Sequence, residues 1–171
     1  MSELVHFETV ELPEVLAVGR LVVADMNGLM PDKRTLGDLW GECLGNGMFA
    51  RLEALKDFVH DPAYVGYMDC FDFSKGLFRY LCGMLMKPGV PVPEGFVAVP
   101  IPAAKVAVSW VKGQKEKVTE ICRDAYSLTE NKVVENNMKF AGGWCMEVYT
   151  ARFDAPDANG DIIVDYWMPC V

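Results

Sequence analysis

Histidine is scarce in this chain: His6 and His60 are the two in 171 residues. Neither has a partner at metal-ligand spacing, so a zinc site is not expected, and no cofactor motif suggests another group. None of the six cysteines (Cys43, Cys70, Cys82, Cys122, Cys145 and Cys170) forms a C-x-x-C pair. They read as reduced, small core residues of a cytoplasmic protein. No apolar run reaches the roughly 18 residues of a membrane span. The first residues, Met1-Ser2-Glu3-Leu4-Val5-His6, lack the charged and apolar regions of an export signal. Positive charge is also short, with 16 Lys and Arg against 24 Asp and Glu, a net charge of −8. That field repels phosphate backbones and attracts cations, so neither nucleic acid nor a membrane is expected as a direct partner.

Apolar side chains, by contrast, are plentiful. They make up 51% of the residues, which argues for a packed globular protein and against disorder. Ten methionines suit an adaptable interior, either as a permissive pocket or as ordinary core filling.

Taken in order, residues 5–9 and 15–23 read as strands separated by Glu11-Leu12-Pro13-Glu14, where proline interrupts the ladder. A helix starts near Lys33 with a stripe of Leu36, Leu39, Trp40, Cys43 and Leu44, breaks at Gly45-Asn46-Gly47, and resumes through Met48, Leu52 and Leu55. On that periodicity Trp40 is core. Residues 63–68 and 77–86 form an antiparallel pair, and Pro88-Gly89-Val90-Pro91-Val92-Pro93-Glu94-Gly95 is a linker near the midpoint. Strands follow at 96–101 and 105–111, then an amphipathic helix at 114–126 burying Val118, Ile121, Cys122 and Ala125. Residues 131–140 stay ambiguous because Asn136-Asn137 weakens a helix. The stretch from Gly142 to Phe153 reads as a strand, followed by a turn at 155–160 and a last strand at 161–168.

Glu147 is the residue that stands out. A carboxylate in mid-strand between Met146 and Val148 is a local conflict, and such conflicts gather at functional sites. In an extended strand Cys145, Glu147 and Tyr149 share one face, placing an acid beside an aromatic ring in a way that suits a cationic, partly apolar ligand. A solvated strand face, with Glu147 pointing at water, is the plainer alternative.

The chain also answers itself. Phe7-Glu8-Thr9-Val10-Glu11-Leu12-Pro13 aligns with Phe96-Val97-Ala98-Val99-Pro100-Ile101-Pro102. Each copy leads into a strand, a helix, an aromatic-rich strand and a closing strand. Two strand-helix-strand-strand units, halves at about 1–88 and 95–171, would bury their exposed surfaces by pairing about a pseudo-two-fold axis, with a ligand cleft where they meet. The expected fold is therefore α+β, one domain of 171 residues with an antiparallel sheet.

The pattern Val10-Glu11-Leu12-Pro13, Leu39-Trp40, Tyr64-Val65-Gly66-Tyr67-Met68-Asp69 and Val99-Pro100-Ile101-Pro102-Ala103-Ala104 resembles the GyrI-like small-molecule-binding domain. So does the ending Met146-Glu147-Val148-Tyr149 with Asp161-Ile162-Ile163-Val164-Asp165-Tyr166-Trp167-Met168-Pro169. The resemblance spans nearly the whole chain and lies in the order and spacing of weak motifs. It implies a tandem of two modules that serves bacterial AraC-type and MerR-type regulators as an effector-binding, multidrug-sensing half, and that also occurs alone. The family's central acid falls on Glu147. Its aromatic walls fall on Trp110, Tyr126, Tyr149 and Tyr166, with Tyr67 and Trp40 from the first half, and Trp144 beside the acid. No helix-turn-helix accompanies the pattern, which agrees with the acidic balance in making direct DNA recognition unexpected.

Three functions are expected on these grounds. The first is a stand-alone binder of amphipathic, cationic small molecules that uses Glu147 in an aromatic cleft. The second is a hydrolase of cyclopropane-bearing or similar reactive compounds, with Glu147 as general base and Trp144, Tyr149 or Trp110 holding the ligand. The third is a protein partner, as a gyrase-inhibitor-like protein, a regulator's separate sensor or a homodimer.

Overall fold

Pro13 and Pro102 each stand just past a strand end and divide that strand from its successor. In the computed structural model, which describes residues 2–171, Pro13 comes after β1 (Glu3–Leu12) and Pro102 after β5 (Val97–Ile101). Lacking an N–H, each proline ends its ladder, and the chain resumes as β2 (Val15–Asp25) or β6 (Ala104–Gln114). Neither pair of neighbours folds back as a hairpin. Instead β1 pairs antiparallel with β6, and β5 pairs antiparallel with β2.

The chain accordingly forms two compact units, one of Met1–Pro13 with Ala103–Val171 and the other of Glu14–Pro102. These units divide the chain differently from the repeat halves at about 1–88 and 95–171, because the leading strand of each copy is exchanged. The exchange is reciprocal. Leu12 lies opposite Ala104, and Ile101 lies opposite Val15. The shift that lays Phe7 on Phe96 also lays Leu12 on Ile101 and Val15 on Ala104, so both copies use one register.

The fold is α+β. In the unit of Glu14–Pro102, β3 (Val59–Asp72) and β4 (Leu77–Met86) give an antiparallel sheet in the order β3-β4-β2-β5. Helices α1 (Leu36–Gly45) and α2 (Met48–Glu53) pack on it. Thr35 starts α1 with a capping box, its hydroxyl taking the Asp38 N–H while the Asp38 carboxylate takes the Thr35 N–H. The helix thus begins at Leu36, three residues beyond the expected Lys33. Leu39 and Cys43 are buried, whereas Leu44, expected in the same stripe, is 59% exposed. The core here joins Leu39, Phe49, Leu52, Tyr80 and Met84. Gly19 and Gly83 face one another across β2 and β4. A Cβ on Gly83 would sit 2.0 Å from the Val18 carbonyl oxygen, so only glycine fits this approach. On β3 the register shifts between Asp69 and Asp72, where Cys70 takes a left-handed φ of 50°, the mark of a bulge.

In the other unit, β7 (Trp144–Tyr149) and β8 (Asp161–Pro169) complete the order β1-β6-β8-β7, again antiparallel. Helix α3 (Val118–Glu135) lies on β6 and β8 and buries Ile121, Ala125, Thr129 and Val133, four positions at successive helical turns. It absorbs much of the ambiguous 131–140 stretch and stops at Asn136, after which Asn137 turns left-handed at φ 57°. The strand expected to run on to Phe153 ends at Tyr149. Thr150 caps a short helix, α4 (Ala151–Asp154), by accepting the Arg152 N–H.

Candidate functional site

Strand β7 alternates, so Cys145, Glu147 and Tyr149 point to one face, the face on which α3 packs. Register with β8 sets Tyr166 directly opposite Glu147, and Ser109 of β6 opposite Tyr166. The Glu147 side chain is buried, with 9% of the residue exposed. Its Oε2 accepts a hydrogen bond of 2.8 Å from the Tyr149 hydroxyl. From α3 the Cys122 thiol reaches within 3.6 Å of the same hydroxyl. Tyr166 donates to the Cys145 sulfur at 3.0 Å, and Tyr126 of α3 meets the Tyr166 ring edge-on at 6.5 Å. Of the expected site residues, Glu147, Tyr149, Tyr126 and Tyr166 therefore come together.

Several groups near this carboxylate are held in their neutral forms. Burial pushes the Cys122 thiol well above its usual range, and the nearby Glu147 charge adds to the shift. Burial likewise raises Cys145 to about 12, and it raises Tyr166, with the Cys145 sulfur contributing. Tyr126 is shifted upward by burial and then by Glu130. Each of these groups can donate or accept a hydrogen bond.

Trp110 and Trp144 do not join this cluster, contrary to expectation. Trp110 pairs in register with Asp165, which pairs with Val148, and Trp144 shares the Val148 side of β7. Alternation turns all of them to the opposite face of the sheet. There Trp110 packs against the His6 ring at 4.2 Å and under the Arg152 guanidinium at 4.0 Å. Arg152 holds the buried Asp165 carboxylate through Nε at 3.2 Å and Nη2 at 2.5 Å. Sequence reasoning missed Arg152, Phe153 and Asp165. The usable signal was Thr150 followed by Ala151-Arg152, a helix-cap pattern at the end of a strand.

Tyr67 and Trp40 belong to the other unit. Tyr67 is buried and donates to Asp69 at 3.1 Å, and Arg79 grips Asp69 at 2.7 and 2.6 Å. Burial, followed by the Asp69 charge, raises the Tyr67 phenol. The Trp40 indole donates to the Tyr80 hydroxyl at 2.7 Å and stacks on Phe49, a core arrangement that agrees with its helical periodicity.

Among the described residues, no group of three or more His, Cys, Asp or Glu side chains is placed to hold a metal ion. No described helix is long and apolar enough to cross a membrane. Two surface depressions, of about 360 and 290 Å³, are lined respectively by Lys112, Arg152, Asp157 and Asp161 and by Glu53, Lys56 and Met84, among others. Glu147 lines neither.

A family model described as an integron-associated effector binding protein matches residues 8–170. The chain belongs to this family. Membership agrees with the GyrI-like resemblance and makes small-molecule effector binding the family role. This effector-binding chain is 32% identical over 165 residues to the transcriptional regulator BrlR of Pseudomonas aeruginosa, a match covering 96% of the chain. It spans 55% of that relative's length. Among solved structures it resembles SAV2435 bound to tetraphenylphosphonium, with a TM-score of 0.67, 14% identity, and coverage of 97% of this chain and 94% of the other. It also resembles a putative bacterial transcription regulation protein of Staphylococcus aureus MU50, with a TM-score of 0.65, 13% identity, and coverage of 96% and 97%. At such identities the two likenesses establish the shared fold.

Proposed function

We propose that this protein binds lipophilic cations and that the Glu147 carboxylate is their anchor. The carrying observation is that a carboxylate 9% exposed lies among Tyr149, Tyr166 and Tyr126, with neutral thiols and phenols around it. Removing a carboxylate from water is costly. A ligand that supplies the opposite charge therefore gains more at this position than in water. Aromatic faces favour the same ligand, at about 0.5–2 kcal/mol per contact. The family's effector-binding role and a structural relative that carries tetraphenylphosphonium support the reading.

The test is titration calorimetry with tetraphenylphosphonium and with neutral triphenylphosphine oxide, on wild type and Glu147→Gln. The exchange is expected to weaken the cation by about 2–3 kcal/mol, in the range for a lost charge-assisted contact, and to leave the neutral compound nearly unchanged. Equal weakening of both would refute the charge argument.

A further inference from the structure

Residues 149–153 connect the two faces of the sheet of β1, β6, β8 and β7. On the α3 side, the Tyr149 hydroxyl sits on Glu147 at 2.8 Å, and the Phe153 ring meets the Tyr149 ring edge-on at 4.9 Å. On the other side, Arg152 is fixed at three points: two hydrogen bonds to Asp165 and the face of Trp110 at 4.0 Å. Asp165 is 2% exposed and sits in mid-strand, paired in register with both Trp110 and Val148. A two-point guanidinium grip on a buried carboxylate is among the more directional contacts a side chain can make. Between the two faces lies α4, four residues long, too short to hold its own shape in water. Its position is set by what its side chains grip. Arg152 is the charged grip and Phe153 is the contact passed on to Tyr149.

We propose that Arg152 is a positioning residue for the Glu147 site. By clamping α4 to Asp165 and Trp110 it holds Phe153 against Tyr149, which keeps the Tyr149 hydroxyl on the carboxylate and raises its affinity for cations. The inference rests on the reading of Glu147 as the anchor. Arg152 itself points away from that site and carries the same charge sign as the ligand. A direct electrostatic role would make its removal strengthen cation binding, whereas a positioning role makes its removal weaken it. The two roles therefore differ in sign.

The experiment measures tetraphenylphosphonium affinity for wild type, Glu147→Gln, Arg152→Gln, Phe153→Leu, Tyr149→Phe and the double variant Tyr149→Phe/Arg152→Gln. All are first checked for a cooperative melt. Phe153→Leu matters because it leaves the Arg152–Asp165 pair in place should Arg152→Gln prove unstable. Arg152→Gln and Phe153→Leu are each expected to lower affinity about tenfold, as coupled neighbours do. Adding Arg152→Gln to Tyr149→Phe is expected to cost nothing further, because the effect passes through the Tyr149 hydroxyl. A purely structural role would make the two losses additive. The indole emission assigned to Trp110 by a Trp110→Phe control should shift in Arg152→Gln and not in Glu147→Gln. If Glu147→Gln weakens binding while Arg152→Gln and Phe153→Leu do not, or if the double variant is additive, the positioning role is overturned and the anchor stands. If wild type fails to bind, or Glu147→Gln binds as well as wild type, the anchor falls and the positioning role falls with it.

Discussion

Ser109 shows how a single side chain can sit in a structure without supporting it. Its hydroxyl is fully buried next in register to Tyr166 and has no hydrogen-bond partner among the described residues. Deleting an unsatisfied polar atom removes a desolvation cost, so Ser109→Ala should leave stability within about 0.5 kcal/mol of wild type or raise it, as read by chemical denaturation. A thiol two strands away behaves differently. Cys145 has its thiol raised from 9.0 to about 12 by burial. The unfolded chain therefore loses this proton first, and between those values it binds fewer protons than the native state. The contribution is complete below about pH 9 and is lost as pH climbs toward 12, at up to about 1.4 kcal/mol per pH unit. A Cys145→Ala variant should show a shallower loss of stability over that window. A third residue-scale outcome concerns reactivity. Cys70 is exposed, Cys122 is half-buried and the other four are buried, so an aromatic disulfide reagent should titrate one thiol quickly in the native protein and six after denaturation. At this scale Glu147 was legible, because a carboxylate between Met146 and Val148 conflicts with its surroundings in any strand. Arg152 was not, because a lone arginine after a strand looks like ordinary solvated charge until Asp165 is seen beneath it.

Elements were legible wherever one period dominated. The stripe through Ile121 and Ala125 announces α3, and alternation around Glu147 announces β7, since each rests on local geometry. What local pattern could not give was where β7 ends. Tyr149, Ala151 and Phe153 continue the alternation, yet Thr150 caps a helix there, and that helix carries Arg152 onto Asp165, a pairing no local pattern announces. The assignment of Trp110 and Trp144 to the Glu147 cluster failed for a related reason. Aromatic character and nearness in sequence do not say which face a residue takes, and register does. The β2–β4 pair carries a prediction of its own. Gly83→Ala places a methyl 2.0 Å from the Val18 carbonyl oxygen, which the opposed backbones cannot yield without parting. We expect a loss of about 3 kcal/mol or more, in the class of severe steric defects, measurable as a fall in Tm.

For the molecule as a whole, the repeat was legible and the way its copies pack was not. The aligned motifs at Phe7 and Phe96 mark the copies, but only the pairing of β1 with β6 and of β5 with β2 shows that each copy's first strand completes the other unit. A fragment of residues 14–102 holds one entire unit and should melt cooperatively. A fragment of residues 1–88, the half suggested by sequence alone, lacks β5 and with it Ile101, fully buried against β2. It should show a broad, weak transition by circular dichroism. The reciprocal exchange also dictates an order of events on the ribosome. Strand β1 emerges before the other unit, yet its mate is translated only after every residue of that unit, which can close as soon as Pro102 has cleared the exit tunnel. Strand β1 must wait through that interval with an unmatched backbone edge, and Glu3, Glu8 and Glu11 along it supply the like-charge repulsion that discourages neighbouring nascent chains from pairing there first.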